Sequence, residues 1–124
     1  MSLSLLIVDD SPVFLDAARG LLERDGLSVV GVASTSTMAI DAAERLHPDV
    51  VLVDILLGEE SGIDLARRLV ERSRGAAPAI VILISTEAED DFAELIAASP
   101  ASAFLPKSDL SAAAIRRLLP DSPG

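Results

Sequence analysis

The chain has 124 residues, half of them hydrophobic, with ten basic against twenty acidic side chains and a formal net charge of -10. That length suits one domain with a real core, and the negative charge excludes nucleic-acid binding by this chain itself, which needs clustered Lys and Arg. With no cysteine, three Phe and no Tyr or Trp, disulfides, thiolate metal sites and a base-stacking platform are excluded too.

The first element is the apolar run Leu5-Leu6-Ile7-Val8, a short strand. No charged segment precedes it and no cleavage pattern follows, so no signal peptide is expected. Ser11-Pro12 then starts a helix, with a capping Ser and Pro at the first helical position. Phe14, Ala17, Ala18, Leu21 and Leu22 recur at helical spacing, and Asp25-Gly26 stops that helix. Residues 27–33, largely β-branched and apolar, form a second strand. Residues 35–46 form a second helix with Ala39, Ala42, Ala43 and Leu46 on one face. His47-Pro48 ends it, because a residue before proline disfavours the helical region.

Val50-Val51-Leu52-Val53 is a third strand ending in Asp54. A third helix is expected over residues 61–73, a loop over 75–78 and a fourth strand over 79–84, the most hydrophobic of all. A short acidic helix over 90–98 surrounds Phe92, Leu95 and Ile96. A fifth strand, Ala103-Phe104-Leu105, precedes a last helix over 108–119. No apolar run approaches the roughly 20 residues of a membrane span, and the chain reads as cytoplasmic. Strands three and four are apolar at successive positions instead of alternating, which suits strands covered on both faces. Five β/α repeats of this kind give a doubly wound α/β domain with a parallel sheet.

The informative polar residues share one location. Asp9 and Asp10 end strand one, Asp54 ends strand three, Ser85 ends strand four and Lys107 follows strand five. In an open parallel sheet these ends all lie on the carboxyl edge, where such folds bind ligands. Three carboxylates within reach of one another repel unless a cation joins them. Mg2+ suits such a site, taking one or two carboxylates plus waters and phosphate oxygens. A carboxylate can itself attack phosphorus and form an aspartyl phosphate. That reaction needs in-line positioning and positive charge around the phosphoryl oxygens, which Mg2+ and Lys107 would supply, with the Ser85 hydroxyl bonding a further oxygen.

Taken singly, each residue has a bland reading. An Asp pair before a helix is commonly a solvated cap, Ser85 a turn residue, and Phe104 a core residue. The joint pattern, five matching residue types each at the end of the right strand, is what carries the chemical reading.

The stretches Ile7-Val8-Asp9-Asp10-Ser11, Val53-Asp54-Ile55 with Gly62 eight residues after Asp54, Leu83-Ile84-Ser85, and Phe104-Leu105-Pro106-Lys107 resemble those of bacterial response-regulator receiver domains. The resemblance covers essentially the whole chain. It implies a flavodoxin-like fold of five strands in the order 2-1-3-4-5 with five helices, a receiver domain over residues 1–120 and a tail or linker start over 121–124. It implies a phosphorylation switch, not a turnover enzyme, with Asp54 the phosphoacceptor and Ser85 and Lys107 its helpers. Asp10 and Asp54 resemble direct Mg2+ ligands, with the Leu56 backbone carbonyl a further one and Asp9 an acid orienting metal-bound water. Ser85 and Phe104 resemble the switch pair. The implied phosphodonor is the histidine of a partner sensor kinase, so His47, the only histidine, reads as a helix-end residue. A second copy of the chain is a further candidate partner. The last helices resemble those of the subfamily that often precedes a helix-turn-helix output domain, which would lie outside these residues. Slow to moderate self-dephosphorylation is expected, because Leu56 cannot position an attacking water through its side chain, whereas Glu87 can interact with one. The acidic stretch 87–91 reads as a solvated face.

Three positions depart from the family pattern: Gly58 where proline is usual, Thr86 where Ala or Gly is commoner, and Ser108 where a proline often follows the lysine. The alternative reading is a phosphorylation-independent interaction domain of the same fold. A flavodoxin would need a Ser/Thr/Gly-rich phosphate loop after strand one, and an aspartate-dependent phosphatase a second acid two residues after Asp54. Neither is present.

Overall fold

The computed structural model describes residues 3–72, 80–86, 93–99, 101 and 103–119. Its main sheet has five strands in the order β2-β1-β3-β6-β7, formed by β1 (Ser4–Val8), β2 (Ser28–Ala33), β3 (Val50–Asp54), β6 (Ile80–Ser85) and β7 (Ala103–Pro106). Every pairing among them is parallel. This is the doubly wound order expected, with the chain reversing direction across the sheet between β1 and β3. Five α-helices are described: α1 (Pro12–Arg24), α2 (Ser36–Leu46), α3 (Gly62–Arg72), α4 (Ala93–Ala98) and α5 (Ala112–Leu118).

The strands are apolar at successive positions because each face meets helices. Leu5, Ile7, Leu52, Ile82 and Ile84 point to one side and pack with Leu15 and Leu22 of α1 and Ile115 of α5. Leu6, Val8, Val51, Val53, Val81 and Leu83 point to the other and pack with Ala39 of α2 and Leu65, Ala66 and Leu69 of α3. Fully burying one such Val, Leu or Ile contributes about 1.5–3 kcal/mol, so two clusters of this size supply the driving force for the layered fold. Among the described residues no helix is long and apolar enough to cross a membrane.

Local signals set the helix ends. Ser11 Oγ accepts from Phe14 N (3.3 Å), with Pro12 at the first helical position. Thr35 Oγ1 accepts from Met38 N (3.2 Å), and Ser111 Oγ from Ala114 N (3.0 Å). Each satisfies an amide that the helix itself leaves open. His47 closes α2 in the left-handed region (φ 47°), donating its N–H to Ala43 O, and Pro48 prevents continuation.

Several boundaries differ from the sequence expectation. Thr35 and Ser61 lie outside the helices they were assigned to: Thr35 is a cap, and Ser61 belongs to a two-residue strand. The expected last helix is two pieces. A 3-10 turn over Lys107–Asp109 is followed by α5, because Leu110 and Ser111 adopt extended backbone and Ser111 restarts the helix as its cap. A small antiparallel hairpin, β4 (Leu56–Leu57) with β5 (Glu60–Ser61), was not anticipated. Its tip needs a left-handed residue, and Gly58 provides it at φ 61°. The expected loop 75–78, Phe92, Glu87 and the acidic stretch 87–91, the start of the fourth helix and the tail 121–124 lie outside the described residues.

Candidate functional site

The carboxyl edge gathers the polar residues singled out in the sequence. One residue past β1, Asp9 continues the ladder by donating its N–H to Ala33 O (3.0 Å), which carries its side chain into the interior, where it is completely buried. Asp9 Oδ1 accepts from Ser11 N at 2.8 Å. Asp10, the next residue, is exposed. Asp54 is the last residue of β3, in register with Ile84, and is 6% exposed. Its Oδ1 accepts from Leu56 N at 3.1 Å, the short-range bond to a backbone amide two residues on that Asp side chains favour at turns. Carboxylate oxygens of Asp9, Asp10 and Asp54 all lie within 4.8 Å of one another.

The backbone behind Asp54 is tightly packed. Ile55 N donates to Ile84 O (2.9 Å) and Gly62 N to Ile55 O (2.8 Å). A Cβ on Gly62 would sit 1.8 Å from the Asp54 carbonyl oxygen. Only glycine allows α3 to begin there, which fixes the end of β3 against the helix start.

Lys107 follows β7 and reaches back over the edge. Its Nζ pairs with Asp9 Oδ2 at 2.5 Å and with Asp54 Oδ2 at 3.3 Å. The same ammonium lies 4.2 Å from the centroid of the Phe14 ring. Ser85, the last residue of β6, is buried at the same edge, in register with Pro106. Phe104 is half-buried on β7 and packs against the cluster covered by α2 and α3. Leu56 turns its side chain outward, and Thr86 and Gly58 are exposed.

The electrostatics follow from burial. Desolvation, then the neighbouring Asp9 charge, push the Asp54 carboxyl up to about 6, and the Lys107 ammonium and the Leu56 amide only partly oppose them. Burial alone would make Lys107 easier to deprotonate. Its contact with Asp9, followed by the charges of Asp54 and Asp9, outweighs that and holds it above the usual lysine value. A buried acid pair facing one ammonium leaves negative charge in excess, and Asp10 adds more. All the donors are hard oxygens, the ligand set that fits a hard divalent cation and not a soft one.

Of the residues expected to converge, Asp9, Asp10 and Asp54 therefore cluster, and Lys107 pairs with Asp9 and Asp54. Ser85 ends the strand paired with that of Asp54, one residue past the position in register with it. Sequence reasoning missed three contributors. The Ser11 and Leu56 amides orient the two buried acids, and the Asp-x-Leu and Asp-x-Ser spacing is the signal that would have found them. The Phe14 ring under Lys107 had been assigned only to the α1 core stripe, and its partner lies far along the chain.

Comparison with known proteins points the same way. A family model described as the response regulator receiver domain matches residues 5–117. The nitrate/nitrite response regulator protein NarP of Escherichia coli is 39% identical over 106 residues, covering 85% of this chain and 48% of that protein. A protein-glutamate methylesterase/protein-glutamine glutaminase of Alkalilimnicola ehrlichii is 34% identical over 110 residues, covering 86% of this chain and 27% of that one. The chain thus spans about half or less of the length of these curated relatives. Among solved structures, a two-component response regulator of the LuxR family from Aurantimonas sp. superposes with a TM-score of 0.80 at 26% identity, over 94% of this chain and 81% of that one.

Proposed function

The chain belongs to the family of response regulator receiver domains, and we propose that it is a phosphorylation switch in which Asp54 accepts the phosphoryl group. The observation that carries this reading is the buried Asp54 carboxylate held between Asp9 and Lys107, with three carboxylates inside a 4.8 Å cluster. Asp10, Asp54 and the Leu56 carbonyl would hold Mg2+, with Asp9 orienting metal-bound water. The bound ion supplies positive charge that relieves the carboxylate repulsion and neutralises the phosphoryl oxygens.

The protein's own groups do the rest. The Leu56 amide fixes one Asp54 oxygen, so the carboxylate presents a defined face to phosphorus. Asp54 attacks in line, the oxygen–phosphorus bond forms, and the bond to the leaving nitrogen of a partner kinase's phosphohistidine breaks. Lys107 already sits against Asp54 and stabilises the charge that builds on an equatorial oxygen. The Ser85 hydroxyl, at the end of the neighbouring strand, donates to another. Its movement frees space for Phe104, and the surface around β7, α4 and α5 changes: a local charge event biasing a two-state element. The chain turns over no other substrate in this reading. Its exposed Leu56 side chain offers no hydrogen bond to an attacking water, which fits slow to moderate self-dephosphorylation. The changed surface would report the phosphoryl group to an output domain outside these residues or to a second copy of the chain.

Incubation with acetyl phosphate and Mg2+, followed by intact-mass measurement, tests the proposal. Wild type gains one phosphoryl group, Asp54→Asn gains none, and Lys107→Ala gains it at least about tenfold more slowly, the usual cost of losing one preorganised charge. An equal gain in Asp54→Asn would overturn it.

A further inference from the structure

We propose that Phe14 is a positioning residue for Lys107, its ring holding the ammonium at the site through a cation–π contact. The inference rests on the phosphoryl-transfer reading and adds a residue to it. The ammonium lies 4.2 Å from the ring centroid, well inside the range over which the negative face of an aromatic ring attracts a cation. Its side chain is only 14% exposed, so water screens the contact weakly.

The ring is itself held in place. Phe14 packs against the core cluster shared by α1 and α5, and its backbone N–H donates to Ser11 Oγ. Ser11 N in turn donates to Asp9 Oδ1 (2.8 Å), and Asp9 Oδ2 pairs with Lys107. Asp9, Ser11, Phe14 and Lys107 thus form a closed circuit of contacts around the first turn of α1. Within it the ring has a distinct part. The two carboxylates that hold Lys107 are the groups that a divalent cation and a phosphoryl group engage. Their hold on the ammonium weakens as the reaction proceeds, whereas the ring carries no charge to be neutralised and does not depart. Lysine has four rotatable side-chain bonds, and without such a platform the ammonium would spread over many positions once its carboxylates were engaged.

The plain alternative is that Phe14 only fills the core. Three variants separate the two: Phe14→Leu, Phe14→Tyr, and pentafluorophenylalanine at position 14, which keeps the ring's shape and reverses the polarity of its face. The first readout is the rate of phosphoryl uptake from acetyl phosphate with Mg2+. The second is the NMR shift of the Lys107 ε-methylene protons, which lie upfield when held over a ring. The Leu and fluorinated variants should lose about two- to fivefold in rate, the worth of a modest cation–π contact, while Tyr keeps the rate. The upfield shift should vanish in Leu and persist in Tyr. A fluorinated variant that reacts at the wild-type rate overturns the proposal, as does a wild-type Lys107 without the upfield shift. Failure of wild type to take up phosphate at all sinks the switch reading instead, which keeps the two failures apart.

Discussion

Strand β3 carries an aspartate at each end, and the two meet opposite fates. Asp49, just before its first residue, is exposed, and its Oδ2 accepts from both the N–H and the hydroxyl of Ser4 at 3.0 and 3.1 Å. It ties the entry of β1 to the entry of β3. Asp54, five residues on, is buried, faces the Asp9 carboxylate, and keeps its proton to about pH 6. One strand thus holds the same side chain as a fastener at its amino end and as a strained reagent at its carboxyl end. Solvent and neighbours make the difference. Water and two donors satisfy the first, while the second is satisfied only in part, by one amide and one shared ammonium.

The largest effect is expected from Gly62→Ala, behind Asp54. With the new Cβ 1.8 Å from the Asp54 carbonyl, either β3 or the start of α3 must move. Denaturant unfolding should show a loss above about 3 kcal/mol. A loss below about 1 kcal/mol would mean that the carboxyl end is not so rigidly framed.

Asp54→Asn comes next, with the opposite sign. Removing a carboxylate whose ionisation the fold resists should stabilise the chain by about 2 kcal/mol at pH 7, read as a higher Tm in a chelator. The pH dependence follows in sign. Folded Asp54 releases its proton near pH 6 and the unfolded side chain near 3.8, so the fold binds more protons between them. Its contribution therefore falls as pH rises from about 4 to about 6 and is flat above. The difference in stability between wild type and Asp54→Asn should grow across that window, and a constant difference would contradict the assignment. Asp49→Ala is the smallest change: losing two exposed hydrogen bonds should cost about 1 kcal/mol and leave phosphoryl uptake at the wild-type rate.

The same contrast marks how far the sequence could be read. The strand cores were legible because Leu5 to Val8 and Val50 to Val53 are apolar at every position, and the site because its residues stand at strand ends that the parallel topology brings to one edge. The β4–β5 hairpin was not legible, since two-residue strands have no periodicity, although Gly58 marks its tip. The break before α5 was hidden because residues from Ser108 to Leu119 read as one helical run, and only the Ser111 cap betrays the restart. Lys107 against Phe14 is a contact between distant segments and left no local signal.

Trapping the phosphorylated residue tests the central claim most directly. After reaction with acetyl phosphate and Mg2+, borohydride reduces an aspartyl phosphate to homoserine, which peptide mass spectrometry locates. The account predicts homoserine at position 54 in wild type and at no position in Asp54→Asn. Homoserine at Asp9 or Asp10, or none in a chain that has gained phosphate, would contradict it.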